Sequence, residues 1–436
     1  MSGHDRFRPE EVREKAEERA ILVGVDRGGR SWPLEESLAE LERLADTAGA
    51  IIVGTVTQKM HSPDTRTFVG KGKAEEIAEL ARETKATTVV FDDDLTPSQQ
   101  ANLEDLVGPD TRVLDRTALI LDIFALHAVS REGKLQVDLA QLEYVLPRLR
   151  GMWGHLMAER LGGGRGTRFG AGESQLESDR RLTRRRIAEL KRELKHVAGE
   201  RSLQRKARAR SGIYRVSLVG YTNAGKSTLL NALTGADVLV ADRLFATLDA
   251  TTRTLELPEG RKITLTDTVG FINKLPHGLV EAFKSTLDET READLLLHVV
   301  DASGVQLREQ MDAVSVVLGE IGVADKPQLV VHNKTDLLSS QDRAMLAAKS
   351  PGAVLVSAAT SEGLEDLRER ISAEAARGSR TLSLLIPYEH GEIVGLAHEQ
   401  AQVISEEHVA EGTRVTVRVA AELTTRFEPY LERSAE

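Results

Sequence analysis

Residues 214–220 (YRVSLVG) run straight into Gly220-Tyr221-Thr222-Asn223-Ala224-Gly225-Lys226-Ser227-Thr228, and no other feature constrains the fold so tightly. An apolar run, then G-x-x-x-x-G-K-[ST], then the leucine-rich Leu229-Leu230-Asn231-Ala232-Leu233 predicts a strand, a phosphate-cradling loop and a helix. The glycines let backbone N–H groups of this loop curl around phosphates at a helix N-terminus. In that setting Lys226 reaches the β- and γ-phosphates and Ser227 offers its hydroxyl to Mg2+.

Three further segments follow in the order such a nucleotide site requires. Asp267-Thr268-Val269-Gly270 ends an apolar run, which places Asp267 to hold Mg2+ through water and the Gly270 N–H to meet the γ-phosphate. Asn333-Lys334-Thr335-Asp336 ends another. A carboxylate there accepts the paired N1–H and N2–H2 donors of guanine, whereas adenine would leave Asp336 desolvated and unpaired. Lys334 is expected to lie along the base and Asn333 to brace the loop. Ser357-Ala358-Ala359 ends the next strand and offers backbone N–H to guanine O6. The four together predict binding of GTP and GDP with Mg2+, and hydrolysis of GTP. The position after Gly270 is Phe271, where signalling GTPases carry a water-orienting glutamine. Slow intrinsic hydrolysis follows, with the water positioned by another group or a partner. Asn223 is a candidate to help hold a monovalent cation, K+, near the phosphates.

At 436 residues the chain implies roughly three or four folding units. It has no cysteine, which excludes disulfides, thiolate metal sites and cysteine nucleophiles. Residues 1–130 alternate strand-like segments (20–26, 51–58, 87–91, 112–114) with helical periodicity (38–48, 74–84, 97–106), the pattern of an N-terminal α/β subdomain with a mostly parallel sheet. Within it, residues 69–77 (VGKGKAEEI) read as strand, glycine turn and helix, a structural turn rather than a phosphate loop. Residues 131–212 are helical. Leu139, Leu142, Leu146, Leu149, Trp153 and Leu156 form an a/d seam in which Pro147 should kink the helix, and a glycine-rich loop follows at 161–172. The second helix carries Leu176, Thr183, Ile187, Leu190, Leu194 and Val197, giving an antiparallel hairpin, or coiled coil. A P-loop, Ras-like G domain at 213–378 and a small C-terminal α+β domain at 379–436 complete the expected multidomain α/β architecture.

The formal charge of −10 would argue against a nucleic-acid partner, but its distribution does not. Between Arg148 and Arg210 there are 18 Lys/Arg against 7 Asp/Glu, leaving a strongly acidic remainder. A solvated helical face would account for the charge alone; a footprint for phosphate backbone is the sharper reading. No apolar run is long enough to span a bilayer, since residues 118–129 are too few and contain Asp122, and the N-terminus lacks a signal-peptide core. A cytoplasmic protein without stable membrane insertion, at most peripherally associated, and monomeric when free, is the expectation.

Several stretches, most of them outside these motifs, resemble the HflX family, ribosome-associated GTPases of the Obg–HflX group. They are VGKGKAEE from Val69, VLDRT from Val113, QLEY from Gln141, GGRGTR from Gly163, GESQLE from Gly172, LFATLD from Leu244 and DTVGFI from Asp267. The resemblance runs essentially the whole length; at 165–170 (RGTRFG) it departs from the Ile and Gly-Pro common in related sequences. It implies that Phe245, Ala246, Thr247, Leu248 and Asp249 belong to switch I at the nucleotide, with Thr247 completing Mg2+ coordination alongside Ser227 and Asp267. Thr251 and Thr252 are rivals on spacing alone. Lys226, Thr247 and Gly270 are then the expected catalytic set. The resemblance also implies docking on the large ribosomal subunit and splitting of stalled or idle ribosomes, with the basic hairpin on rRNA phosphates and the loop tip reaching toward the peptidyl-transferase region. The alternative is a GTP-dependent RNA-binding assembly factor that splits nothing.

Overall fold

The computed structural model describes residues 17–28, 32–149, 172–209, 213–235, 244–258, 260–274, 284–377, 379–420 and 424–432. It divides into two compact units, one comprising Met1–Asp122 and Pro147–Thr167, the other Ile123–Leu146 and Arg168–Glu436.

In the first unit β1 (Glu18–Asp26), β2 (Ala50–Lys59), β3 (Thr88–Phe91) and β4 (Arg112–Asp115) form a parallel sheet in the order β2-β1-β3-β4. Helices α1 (Leu34–Thr47), α2 (Lys71–Thr84) and α3 (Pro97–Val107) connect the strands. Strand β1 is buried along Ala20–Val25, as a parallel strand covered on both faces must be. Helix α3 starts at Pro97, inside a Thr96–Gln99 capping box that satisfies two otherwise orphaned amides. The segment at 69–77 contains no strand: α2 begins at Lys71, directly after Gly70. Gly70 has φ −61°, so it is not there for left-handed freedom. It gives room, because a Cβ would lie 3.1 Å from Gln58 Nε2, and its N–H donates to Gln58 Oε1 at 2.9 Å.

Arg116, fully buried, pairs with Glu40 and, at 2.8 Å, with Asp92, which also accepts from the Ser37 hydroxyl. Breaking a buried ion cluster from one side leaves uncompensated charge. Arg116→Met should therefore cost about 3–5 kcal/mol, read as an earlier urea transition for this unit while the G domain's transition stays in place.

Helix α4 (Arg116–His127) accounts for the apolar stretch at 118–129: Ile120, Ile123 and Phe124 are core residues. Among the described residues no helix is long and apolar enough to cross a membrane. Helix α5 (Arg131–Val145) and α6 (Gly172–Ala209) meet through Leu135, Leu139, Ile187 and Leu190, with Leu142, Leu146, Leu194 and Val197 at the margin. The predicted seam stops sooner than expected. A 3-10 turn at Leu146–Arg148, containing Pro147, ends α5, because proline cannot donate to the preceding turn. Leu149 is buried with the first unit, and Trp153, Leu156 and the loop at 161–171 lie outside the described residues.

Arg148 also leaves the basic arm. Its guanidinium donates to Leu95 O at 2.8 Å, Gln100 Oε1 at 3.0 Å and Asp115 Oδ2 at 3.2 Å. This charge is consumed inside the first unit, where burial raises the Asp115 carboxyl above its usual range despite the neighbouring arginine.

In the second unit β5 (Tyr214–Gly220), β6 (Thr251–Glu256), β7 (Lys262–Asp267), β8 (Leu295–Asp301), β9 (Gln328–Asn333) and β10 (Val354–Leu355) form a six-stranded sheet in the order β10-β9-β8-β5-β7-β6. All neighbours are parallel except the β6–β7 pair. The carboxyl ends of β5, β7, β8 and β9 therefore open at one edge, where ligands of α/β sheets bind. Residues 379–436 contribute a separate antiparallel sheet of β11 (Ser379–Ile386), β13 (Gly412–Ala420) and β12 (Gln402–Val409), with its own core around Leu384, Val415, Val417 and Phe427.

Candidate nucleotide site

Strand β5 ends at Gly220 and helix α7 (Lys226–Thr234) begins at Lys226, so the loop between them wraps the helix N-terminus. Gly225 sits at φ +88°, and a Cβ there would lie 2.3 Å from Asn333 Nδ2. Only glycine allows this approach. A pocket is lined by Thr222, Asn223, Gly225, Lys226, Ser227, Thr228, Phe245, Ala246, Thr247, Thr268 and Gly270. Gly270 is held against the loop: a Cβ there would be 2.6 Å from Thr222 Cα and 3.0 Å from Lys226 Nζ.

Lys226 is buried and donates to Gly220 O at 3.2 Å and Tyr221 O at 2.9 Å. Burial pushes its ammonium down to about 8, with Asp267 pulling the other way. The folded chain thus loses this proton before the unfolded chain does, and the penalty of burying the charge is relieved as pH rises from about 8 toward the ordinary lysine value of 10.5. A triphosphate favours the charged form. Nucleotide binding above pH 8 should take up a proton at Lys226, visible as calorimetric heats that vary with buffer ionisation enthalpy, and affinity should fall as pH rises. Buffer-independent heats at pH 9 would contradict this.

Ser227 Oγ donates to Asp267 Oδ2 at 2.6 Å and lies 2.8 Å from Thr247 Oγ1. Asp267 Oδ1 is buried without a hydrogen-bond partner among the described residues. Burial pushes the Asp267 carboxyl up, with Lys226 opposing. An unsatisfied buried acceptor beside two hydroxyls suits a hard divalent cation that takes oxygen ligands. Of the three threonines that compete on spacing, Thr247 is the one at Ser227, whereas Thr252 is engaged across the strands with Thr266 at 2.9 Å.

At the other end Asn333 ties three loops together. Its Nδ2 donates to Ala224 O at 2.9 Å and its Oδ1 accepts from Ala358 N at 3.0 Å. Thr335, next in the loop, donates its N–H to Val356 O at 3.2 Å. Asp336 is exposed, and Lys334, at φ +63°, pairs with Asp301 at 2.7 Å. Asp301 was missed in the sequence; its signal is its place at the end of β8, in register with Asn333. In the 357–359 segment Ser357 N donates to Glu362 O at 2.9 Å and Ala358 N to Asn333. The amide of the exposed Ala359 makes no hydrogen bond among the described residues.

Three residues expected at the nucleotide turn their side chains elsewhere. Leu248 and Val269 are core side chains. Asp249 turns its carboxylate to the N-terminus of α5, accepting from Val129 N at 3.1 Å, Ser130 N at 2.7 Å and the Ser130 hydroxyl. Phe271 is buried too. Its N–H donates to Gly220 O at 3.1 Å and its carbonyl accepts from Thr222 N at 2.7 Å. Its ring packs into the core, and its backbone clips the Asp267–Gly270 turn to the phosphate loop.

Family models match in succession from residue 35 to 334: "GTP-binding GTPase N-terminal" over residues 35–125, "GTP-binding GTPase Middle Region" over 127–208 and "50S ribosome-binding GTPase" over 215–334. The chain is 46% identical to GTPase HflX of Caldanaerobacter subterraneus subsp. tengcongensis, across 95% of this chain and 94% of the relative. It is 45% identical to GTPase HflX of Escherichia coli K12, across 88% and 89%. Among solved structures it is similar to a GTP-binding protein from Sulfolobus solfataricus in complex with GDP, at 27% identity and TM-score 0.44, across 82% of this chain and 99% of that one. A strand–loop–helix phosphate cradle, an Mg2+-suited trio and an Asn333-braced base loop are thus carried by a sequence alike over nearly its full length, and the chain belongs to the HflX family of GTPases.

Proposed function

We propose that GTP binding switches this chain into a form that docks on the large ribosomal subunit through its basic helix and splits stalled or idle ribosomes, and that hydrolysis releases it. The carrying observation is the split character of α6. Thr183, Ile187 and Leu190 are buried in the seam, while Arg181, Arg184, Arg185, Arg186 and Arg192 are exposed. Among the described residues Arg181, Arg184 and Arg185 make no ion pair, whereas Arg186 is shared with Glu189 and Glu193 at 3.5 and 3.8 Å. A guanidinium row that packing does not require suits phosphate backbone. With aromatics at 4%, shape and phosphate contacts are favoured over base stacking. The family model described as a 50S ribosome-binding GTPase supports the same partner.

In this reading Lys226, Ser227, Thr247, Asp267 and the Gly270 N–H surround the phosphates, and Asp336 reads guanine. Bound Mg2+, held by Ser227, Thr247 and Asp267, would neutralise charge on the β- and γ-phosphates. Phe271 offers no side-chain group to orient water, so turnover without a partner is slow and rises on the ribosome. Asn223, at φ +59° in the loop, is the candidate K+ contact, and faster turnover in K+ than in Na+ is its signature. Sucrose gradients of intact ribosomes with protein and GTP test the splitting step. Conversion to separate subunits supports it. Binding to free large subunits with intact ribosomes left whole would favour an assembly factor.

A further inference from the structure

We infer that Asp249 is a positioning residue for Thr247, and that through Ser130 it makes the order of switch I depend on the base of the helical hairpin. The five residues from Phe245 to Asp249 alternate between two attachments. Phe245 N donates to Thr222 Oγ1 of the phosphate loop at 3.0 Å, and Thr247 Oγ1 lies 2.8 Å from Ser227 Oγ. Toward the hairpin, the Phe245 ring meets Phe124 of α4 edge-on at 4.7 Å, and Asp249 holds the backbone of Val129 and Ser130 where α5 begins. Ser130 serves both sides at once: its hydroxyl donates to Asp249 and accepts from Gly133 N at 2.9 Å, the N-cap bond of α5.

The chemistry favours this clasp. A carboxylate beside a helix N-terminus meets the positive end of the helix dipole, and here it accepts from the backbone of Val129 and of the N-cap residue Ser130. Charge-assisted hydrogen bonds of this kind are about twice as strong as neutral ones. The fit is also close: a Cβ on Gly133 would stand 2.6 Å from Asp249 Oδ1, so that residue must be glycine for the carboxylate to sit there. Only Leu248 separates Thr247 from the clasp, and its side chain is buried, so little slack exists between the hydroxyl at Ser227 and the carboxylate on α5. Movement of the first turn of α5 must pull on Thr247, and withdrawal of Thr247 must loosen that turn. Resting on the ribosome-docking role proposed above, the same clasp is the route by which force on the hairpin reaches the nucleotide.

The test needs no ribosome, so its outcome is independent of that role. Full-length Asp249→Asn and Ser130→Ala are compared with wild type for affinity toward a non-hydrolysable GTP analogue and GDP in Mg2+. GDP does not call on Thr247. Each variant should therefore weaken analogue binding about tenfold, the order for losing charge-assisted capping bonds, while GDP binding stays within about twofold. The double variant should lose no more than either single, because both break one clasp. Ser130→Thr, which keeps the hydroxyl, should restore wild-type discrimination. Hydrogen exchange at residues 129–134 should slow with the analogue relative to GDP in wild type and not in Asp249→Asn. Equal loss for both nucleotides, or an unchanged ratio with nucleotide-independent exchange, would overturn the inference.

Discussion

Asp336→Asn is expected to lower GTP affinity by about 10^3-fold, the order reached when a site built around paired hydrogen bonds loses its match. A carboxylate presents two acceptors to the N1–H and N2–H2 edge of guanine. An amide presents one acceptor and one donor, and the donor then opposes a donor. The same change fits xanthine, which carries a carbonyl where guanine has its amine. Xanthosine triphosphate should therefore bind the variant more tightly than GTP does. The rest of the loop is positioned independently, by Asn333 on Ala224 O and Ala358 N and by Lys334 on Asp301. Fluorescent-nucleotide titrations would show the exchange of preference. Equal weakening toward both nucleotides would mean that the loop had collapsed and that Asp336 does not read the base.

Lys226→Ala should reduce GTP turnover by about 10^3-fold, the upper range for removing one preorganised stabiliser of transition-state charge. Lys226 is buried, and its ammonium sits on Gly220 O and Tyr221 O. The substitution therefore removes the cation and strips two loop carbonyls of a donor. Binding of GTP should weaken more than binding of GDP, because in the proposed arrangement the missing charge faces the γ-phosphate. Single-turnover hydrolysis at saturating GTP separates the two effects. A rate within about tenfold of wild type would argue that the loop backbone alone carries the charge stabilisation.

Both effects fall on residues legible in the sequence, for a physical reason. Phosphate cradling and guanine reading each demand particular residue types at fixed spacing on strand ends, so the chemistry writes itself into short motifs. The strands of the first unit were equally plain: parallel strands buried on both faces read as apolar runs, and β1 does so from Ala20 to Val25. Contacts that depend on distant chain segments were not legible. Asp249 and Ser130 are 119 positions apart and share no periodicity, and the family resemblance points Asp249 to the nucleotide instead. Charge counting likewise could not see that Arg148 is spent on Asp115 and Leu95 rather than offered to a partner. Pro147 was recognised as a disruption, but only the fold shows that the hairpin helix ends there and that Leu149 packs with another unit.

The exposed arginine row of α6 and the GTP site meet in one measurement: co-sedimentation with purified large ribosomal subunits under a non-hydrolysable GTP analogue, GTP and GDP. Wild type should pellet with the subunits most strongly with the analogue and least with GDP, losing binding steeply as salt rises. The variant carrying Arg184→Glu, Arg185→Glu and Arg186→Glu should remain in the supernatant while still binding nucleotide. Sedimentation that ignores both the nucleotide and the charge reversal would contradict the account.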